Sequence, residues 1–546
     1  MTGMEIDGGP LPPSSRPETA DSEKGNETIL EPVEVANPNQ DGDNELQRTT
    51  TNASSVVLAS KARTISLVIT LTGAAFLNTL SVQAAVIVLP TIGDDLGIPA
   101  ARQQWIVSAY SLTFGCFLLL WGRLADVYGK RLIFIWGSAW VAACTIAIPF
   151  CPDEISFDVL RGLQGLGAAA NVPTAIGILG VTFPPGKAKN YAFSFYSAGA
   201  PMGSVFGNIL GGVVGQYASW KWIFWILAII AAVVTASGYF IIPQPPVHAH
   251  ASALKGAVDW FGGTVITVAL LMLLFALTEG NVVGWRTAWV PVLIVVSVLL
   301  VGVFAFWQHF LEKKGGRPPL MKVSVFKSVK VSAAMVAMAL FFASFNNYLV
   351  FATYFFQEYQ GQTAIETTLR FIPTGVVGCM TVIVTSQILA RVRVHYILMF
   401  GMLVISISNL LFAIPIPSTT TYWAFGFPAM VLSVFGADTL YPSLTLFTAH
   451  SLPRSDQALG GALINAVGQI GRAIGLAIGT AIQVAVQASA EGTSVQDAQA
   501  GESRGNPAYL KGVRAAEWLN FAFGITGFVV VAFFFRGPLK VGAHKK

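Results

Sequence analysis

The chain has 546 residues, 54% of them hydrophobic and only 11% charged, with a formal net charge of +5. At a mean hydropathy of +0.62 it is too apolar and too charge-poor for a water-soluble multidomain protein, which leaves a polytopic membrane protein in the lipid bilayer. The small cationic excess sits mainly in short loops, which suits membrane orientation and excludes nucleic acid as a partner.

In chain order, residues 1–60 are rich in Pro, Glu, Asp, Asn, Ser and Thr and lack the apolar core of a signal peptide. They are expected to form a disordered cytoplasmic tail, so that the first span acts as the insertion signal. Sequons at Asn26 and Asn52 lie in that tail and are expected to carry no glycan. Apolar windows near ~20 residues then predict about fourteen transmembrane helices, centred near Leu71, Leu112, Trp140, Ala169, Gly203, Ala231, Val268, Val296, Ala339, Val377, Val404, Val434, Ile474 and Val530. Six fall in residues 61–245, two in 246–312 and six in 313–536, with 537–546 left as a short tail.

Lys and Arg cluster after span two (Arg123, Lys130, Arg131), span four (Lys187, Lys189), span eight (Lys313 to Lys330), span ten (Arg391, Arg393) and at the chain end. These loops share a side, so both termini are expected to be cytoplasmic. Cys116, Cys144, Cys151 and Cys379 show no metal-ligand spacing and read as packing residues.

The most specific string is Gly122-Arg-Leu-Ala-Asp126-Val-Tyr-Gly129-Lys130-Arg131, a polar turn between two apolar windows. Its glycines permit close backbone approach, and Asp126 is expected either to pair with Arg131 or to meet the positive end of a neighbouring helix. Such a contact would serve as a conformational latch formed by Gly122, Asp126, Gly129, Lys130 and Arg131. The string resembles the loop signature G-x-x-x-D-x-x-G-[RK]-[RK] of the major facilitator superfamily. That resemblance implies an all-α fold of two six-helix bundles, here with two extra linking helices, working by alternating access.

Fourteen spans with two between the halves look like the drug:proton antiporter branch known as DHA2, especially its fungal aminotriazole-resistance-like members. Similar strings are Trp220-Lys-Trp222-Ile-Phe224, Asp259-Trp260-Phe-Gly262, Arg370-Phe-Ile-Pro373 and Gly468-Gln469-Ile-Gly471. Arg161 and Gln164 match the family's R-x-x-Q-G, and the resemblance assigns Arg161 to proton coupling or its relay. An intramembrane arginine is also expected on general grounds to face a polar cavity.

Gly199, Gly203, Gly207 and Gly211 form a four-residue ridge for close helix packing. The antiporter motif G-P-x-x-G-G aligns with Gly207-Asn208-Ile-Leu-Gly211-Gly212, where Asn208 replaces the proline; Pro201 lies two turns earlier. The first span departs as well, carrying Asn78, Ser81 and Gln83 where the family often has an acid. Proton carriage is then expected elsewhere. Asp438 and Arg472 are candidates for it, read as an ion pair, since each is costly alone in hydrocarbon.

Asn465, Gln469 and Arg472 lie on one helix face, and Asn346 and Asn347 add polar cavity contacts to those of Asn78, Gln83 and Asn208. Phe341, Phe342 and Phe345 could line an apolar pocket, but lipid-facing packing is the favoured reading.

There is no phosphate loop, H-E-x-x-H or nucleophile elbow, so neither an enzyme nor an ATP-driven pump is expected, and no cofactor or metal. The reading is a monomeric plasma-membrane exporter of a small organic toxin, drug or secondary metabolite, exchanged for protons. A facilitator or importer of a small polar solute such as ammonium or borate, on the same fold, is the alternative raised by Asn208 and the missing first-span acid. A non-transporting sensor is the second alternative.

Overall fold

The structure, a computed structural model, describes residues 61–98, 105–184, 186–244, 258–314, 319–417, 420–452, 457–495, 498 and 503–536. The N-terminal tail, both sequons and residues 537–546 lie outside the described residues. Among those described there are fourteen long helices and no strand. A chain crossing hydrocarbon must satisfy every backbone N–H and C=O internally, and a helix does so within one segment.

Helix α1 (Lys61–Ile87) leads into the short α2 (Leu89–Leu96), which ends at Gly97 in the left-handed region at φ 65°. Then come α3 (Trp105–Tyr128), α4 (Lys130–Ala147), α5 (Glu154–Thr182), α6 (Lys187–Tyr217) and α7 (Lys221–Ile241). Helices α8 (Trp260–Val283) and α9 (Trp289–Lys314) form the extra pair. The second half holds α10 (Val329–Tyr354), α11 (Ala364–Arg391), α12 (Val394–Ala413), α13 (Tyr422–Ser451), α14 (Gln457–Glu491) and α15 (Pro507–Phe534).

Thirteen helices are long and apolar enough to cross a membrane. The remaining long helix, α6, has 31 residues but dilutes its apolar content with glycine, serine, Pro201 and Asn208. Several starts are fixed by side chains that satisfy the free N–H groups of a first turn. Asp153 caps α5, Asp259 caps α8, Asn506 caps α15, and Thr363 with Glu366 makes a reciprocal capping box on α11.

In the first half α1 packs on α6 and α7, and α5 packs on α3 and α4. In the second, α12 packs on α13 and α15, and α14 on α10 and α15. Helices α8 and α9 pack on each other and α8 leans on α3. The halves meet along α6 with α11 and along α14 with α3 and α5.

The glycine ridge explains the α1–α6 contact. A Cβ at Gly199 would lie 2.7 Å from the Thr72 carbonyl oxygen, at Gly207 2.9 Å from that of Leu80, and at Gly211 2.9 Å from that of Ala84. At Gly203 it would run into the Phe76 carbonyl. Only hydrogen fits at these four places, so the ridge welds two helices of one half.

Candidate substrate cavity and inter-half contact

A cavity of about 290 Å³ lies between the halves. From the first half, α1 contributes Asn78 and Gln83, α3 Tyr110 and Phe114, and α6 Tyr196 and Ser204. From the second, α10 contributes Phe341, Phe342, Phe345 and Asn346, α13 Asp438 and Tyr441, and α14 Asn465, Gln469 and Arg472. A wall drawn from both halves must change shape whenever they move relative to one another.

The polar groups divide into those already engaged and those left open. Gln83 Nε2 donates to Ser204 Oγ at 2.9 Å, and Tyr441 Oη donates to Asn465 Oδ1 at 3.0 Å. Both amide atoms of Asn78 and the Oδ2 of Asp438 have no hydrogen-bond partner among the described residues. The Asp438 carboxylate sits where three helices meet. A Cβ on Gly378 of α11 would come 3.0 Å from its Oδ2, with Pro201 of α6 close by.

Asp438 and Arg472 both line this cavity, yet no N···O contact within 4.0 Å joins them, contrary to the expected ion pair. They lie on separate helices at similar depth, about 20 Å from the end where α13 runs into α14, at 1.5 Å rise per residue. Each borders the cavity, the polar surrounding that an intramembrane charge is expected to face.

The phenylalanine expectation is also corrected. Phe341, Phe342 and Phe345 turn into the cavity, with Phe341 stacked on Phe345 at 5.7 Å and Phe342 edge-on to Tyr441 at 6.2 Å. Apolar periodicity alone cannot tell a lipid face from a cavity face when both are hydrophobic.

Arg161 does not line the cavity. It is fully buried inside the first half, donating from Nε to the Ile106 carbonyl at 2.8 Å and from a terminal nitrogen to Ser81 Oγ at 3.1 Å and Gln164 Oε1 at 2.5 Å. Gln164 in turn donates to Thr145 Oγ1 at 2.7 Å. The Tyr110 ring, 4.9 Å from the guanidinium, stands between Arg161 and the cavity. These oxygens and the ring face, with the Asp158 carboxylate nearby, surround the charge, while the second terminal nitrogen of Arg161 has no hydrogen-bond partner among the described residues.

Asn347 and Asn208 are likewise outside the lining. Asn347 is buried and donates to the Ala343 carbonyl at 2.7 Å, and Asn208 is half-buried on α6.

At the α3–α4 turn, Asp126 bonds Lys130 Nζ at 2.7 Å, not Arg131. Arg131 reaches away to the Tyr239 carbonyl at 2.7 Å, because Gly129, at φ 105°, swings the chain into α4 and sends consecutive side chains apart. Asp126 also crosses to the second half: it accepts from the backbone N–H of Leu459 at 2.9 Å and Ala458 at 3.4 Å, in the first turn of α14. An anion on a helix N-terminus meets both free donors and the positive end of the dipole.

Small residues make the approach possible. A Cβ on Gly122 would lie 2.5 Å from that of Ala462, and one on Gly177 2.9 Å from that of Ala458. This close packing begins one turn beyond Asn465, the nearest cavity-lining residue on α14.

The major facilitator superfamily profile matches residues 71–476. The chain belongs to the major facilitator superfamily. Among curated relatives it is 32% identical to the low affinity ammonium transporter of Saccharomyces cerevisiae over 385 residues, covering 69% of this chain and 73% of the other. The Efflux pump terJ of Aspergillus terreus is 26% identical over 453 residues, with 82% and 83% covered. The aminotriazole resistance protein of the same yeast is 26% identical over 405 residues, 72% of each. The solved structure of the human organic anion transporter MFSD10 superposes with a TM-score of 0.59 at 14% identity, covering 86% of this chain and 99% of that one. That likeness carries the all-α fold.

Tyr110, Tyr196 and Tyr441 escaped the sequence reading, as did the first turn of α14 as partner to Asp126. A tyrosine in mid-span, with a hydroxyl to satisfy, is the signal that would have found the first three. Ala458 and Leu459 carried none, because they act through backbone N–H groups.

Proposed function

We propose that this chain exports a small amphipathic organic compound in exchange for protons, with Asp438 carrying the proton. The observation behind this reading is the composition of the cavity: a phenylalanine cluster on α10 and the Asp438 carboxylate, whose Oδ2 has no hydrogen-bond partner among the described residues, line the same space at the seam between halves. An apolar body can lie on the rings while a polar end competes with a proton for Asp438. Relatives named as efflux pumps favour export.

In this mechanism Asp126, seated on the α14 N-terminus, is the latch that holds one end shut. Residues 61–245 and 313–536 are the rocking bodies, and 246–312 links them. The chain acts as a monomer in the plasma membrane with both termini cytoplasmic, which the lysine and arginine distribution favours. Arg161 and Gln164 keep Tyr110 in place on the cavity wall and exchange no proton with substrate.

The test is transport of the fluorescent cation rhodamine 6G into everted vesicles under an imposed pH gradient. Accumulation that collapses with the gradient supports antiport; accumulation indifferent to both pH gradient and membrane potential rules it out. A second reading, entry of a small cation such as ammonium, is favoured by the 32% identity to the yeast transporter and by an acid beside aromatic rings. Uptake of methylammonium into intact cells separates the two.

A further inference from the structure

Helix α10 has two working faces. Phe341, Phe342, Phe345 and Asn346 border the cavity, whereas Ser344 and Tyr348 point the other way, toward α12, α13 and α15. Behind α10 lies a second polar cluster made of Ser344, Asn409 of α12, and Glu517 and Asn520 of α15, all fully buried.

Its hydrogen bonds run one way. Asn409 Nδ2 donates to Ser344 Oγ at 2.7 Å, Ser344 Oγ donates to the Asn520 carbonyl at 2.8 Å, and Asn520 Nδ2 donates to Glu517 Oε2 at 3.2 Å. Three oxygens are left with no donor: Glu517 Oε1, Asn520 Oδ1 and Asn409 Oδ1. The cluster therefore has too many acceptors and too few hydrogens.

We propose that Glu517, with Asn520, Asn409 and Ser344 around it, is a proton-binding site buried in the second half and separate from the cavity. A carboxylate here would have one neutral amide to replace its hydration, and burying such an ion is far more costly than neutralising it. No cation is placed to pair with it. On its own helix Lys511 is exposed, and Arg514 donates to the Ile416 carbonyl at 2.6 Å.

Of the elements packed against α15, α10 turns Tyr348 toward Glu517, α12 presents Asn409 and Ser406, α14 presents Gln483, and the helical turn Phe355–Tyr359 carries Glu358 beside Tyr509 and Tyr359 beside Arg514. None of these is a cation, and Glu358 is an acid that cannot pair with a carboxylate. A proton also suits the space, whereas a metal ion with several oxygen ligands needs room. A Cβ on Gly524 would already crowd Ser406 Oγ and sit 3.2 Å from Ser344 Oγ. The added hydrogen lets Glu517 donate and so supplies the donor the cluster lacks.

The test uses the full-length purified protein and infrared spectroscopy of the carboxyl C=O stretch at neutral pH. A neutral-acid band is expected in the wild type, retained in Asp438→Asn and lost in Glu517→Gln; a band unchanged in Glu517→Gln overturns the proposal. Should that variant not fold, the wild type alone decides. A proton sealed between α10, α12 and α15 exchanges slowly with D2O, so its band shifts late, while complete exchange of every carboxyl band within the mixing time overturns the proposal. Linkage gives a third reading: the folded state binds a proton that the unfolded chain has released, so wild-type melting temperature falls as pH rises from ~5 to ~8. Glu517→Gln removes that share of the fall, and equal slopes in the two proteins contradict the assignment.

Discussion

Asp126→Asn tests whether the α3–α4 turn holds the halves together. The substitution keeps the size of the side chain and one acceptor oxygen, but removes the charge that faces both Lys130 Nζ at 2.7 Å and the Leu459 N–H at 2.9 Å. A charge at a helix N-terminus contributes about 0.3–1 kcal/mol, up to ~2 when partly buried, as the Asp126 side chain is at 2% exposure. Lys130 is 17% exposed, and its pair with Asp126 adds about 0.5–1 kcal/mol after screening. Only the contact with α14 differs between the closed and open forms, so the conformational equilibrium should shift by about 1–2 kcal/mol, or roughly 5- to 30-fold, toward the open form.

Spin labels at Tyr128 and Ser451, exposed ends of α3 and α13, report the separation of the halves once the native cysteines are replaced. Asp126→Asn should raise the long-distance population, and Asp126→Glu should restore part of the closed form. An unchanged distance distribution in Asp126→Asn, with unchanged transport, would refute the latch.

The glycine ridge predicts a contrast within one helix. Gly203→Ala, which drives a methyl into the Phe76 carbonyl, should abolish folding as judged by size-exclusion chromatography, whereas Gly212→Ala, whose nearest neighbour would be 3.6 Å away, should be tolerated. Arg161→Ala should cost about 1–3 kcal/mol of stability by stranding Gln164 and the Ile106 carbonyl, while the pH dependence of transport in the surviving protein stays as in wild type. A changed pH profile would return Arg161 to the coupling path. Asp153, held below the usual carboxylate range by its bonds to Ser156, stabilises the start of α5 only while ionised. The melting temperature of Asp153→Ala should therefore lie below wild type at neutral pH and converge with it as the pH falls through the carboxylate range.

Much of this was legible in sequence because a bilayer imposes a length rule. Each of the fourteen windows became a helix, including α6, whose glycines lower its hydropathy yet repeat at the spacing that packs it on α1. Side-chain direction was less legible. Phe341, Phe342 and Phe345 are apolar whether they face lipid or cavity, and only the partner helices decide. Asp438 and Arg472 could be placed at one depth by counting residues, but whether they pair or line the cavity separately could not. The seat of Asp126 is a pair of backbone N–H groups far along the chain, and side-chain identity does not announce them. Glu517 was not singled out, because its hydrogen-bond partner Asn520 is tied through its backbone carbonyl to Ser344, and through that to Asn409, on two other helices.

The central claim is that Asp438 couples protons to transport, and the direct measurement compares wild type with Asp438→Asn in everted vesicles supplied with rhodamine 6G in the outer medium. The wild type should accumulate dye in response to an inward-acid pH gradient. Asp438→Asn should lose that accumulation while still exchanging dye across the membrane at equilibrium. Gradient-driven accumulation by Asp438→Asn equal to that of wild type would contradict the account.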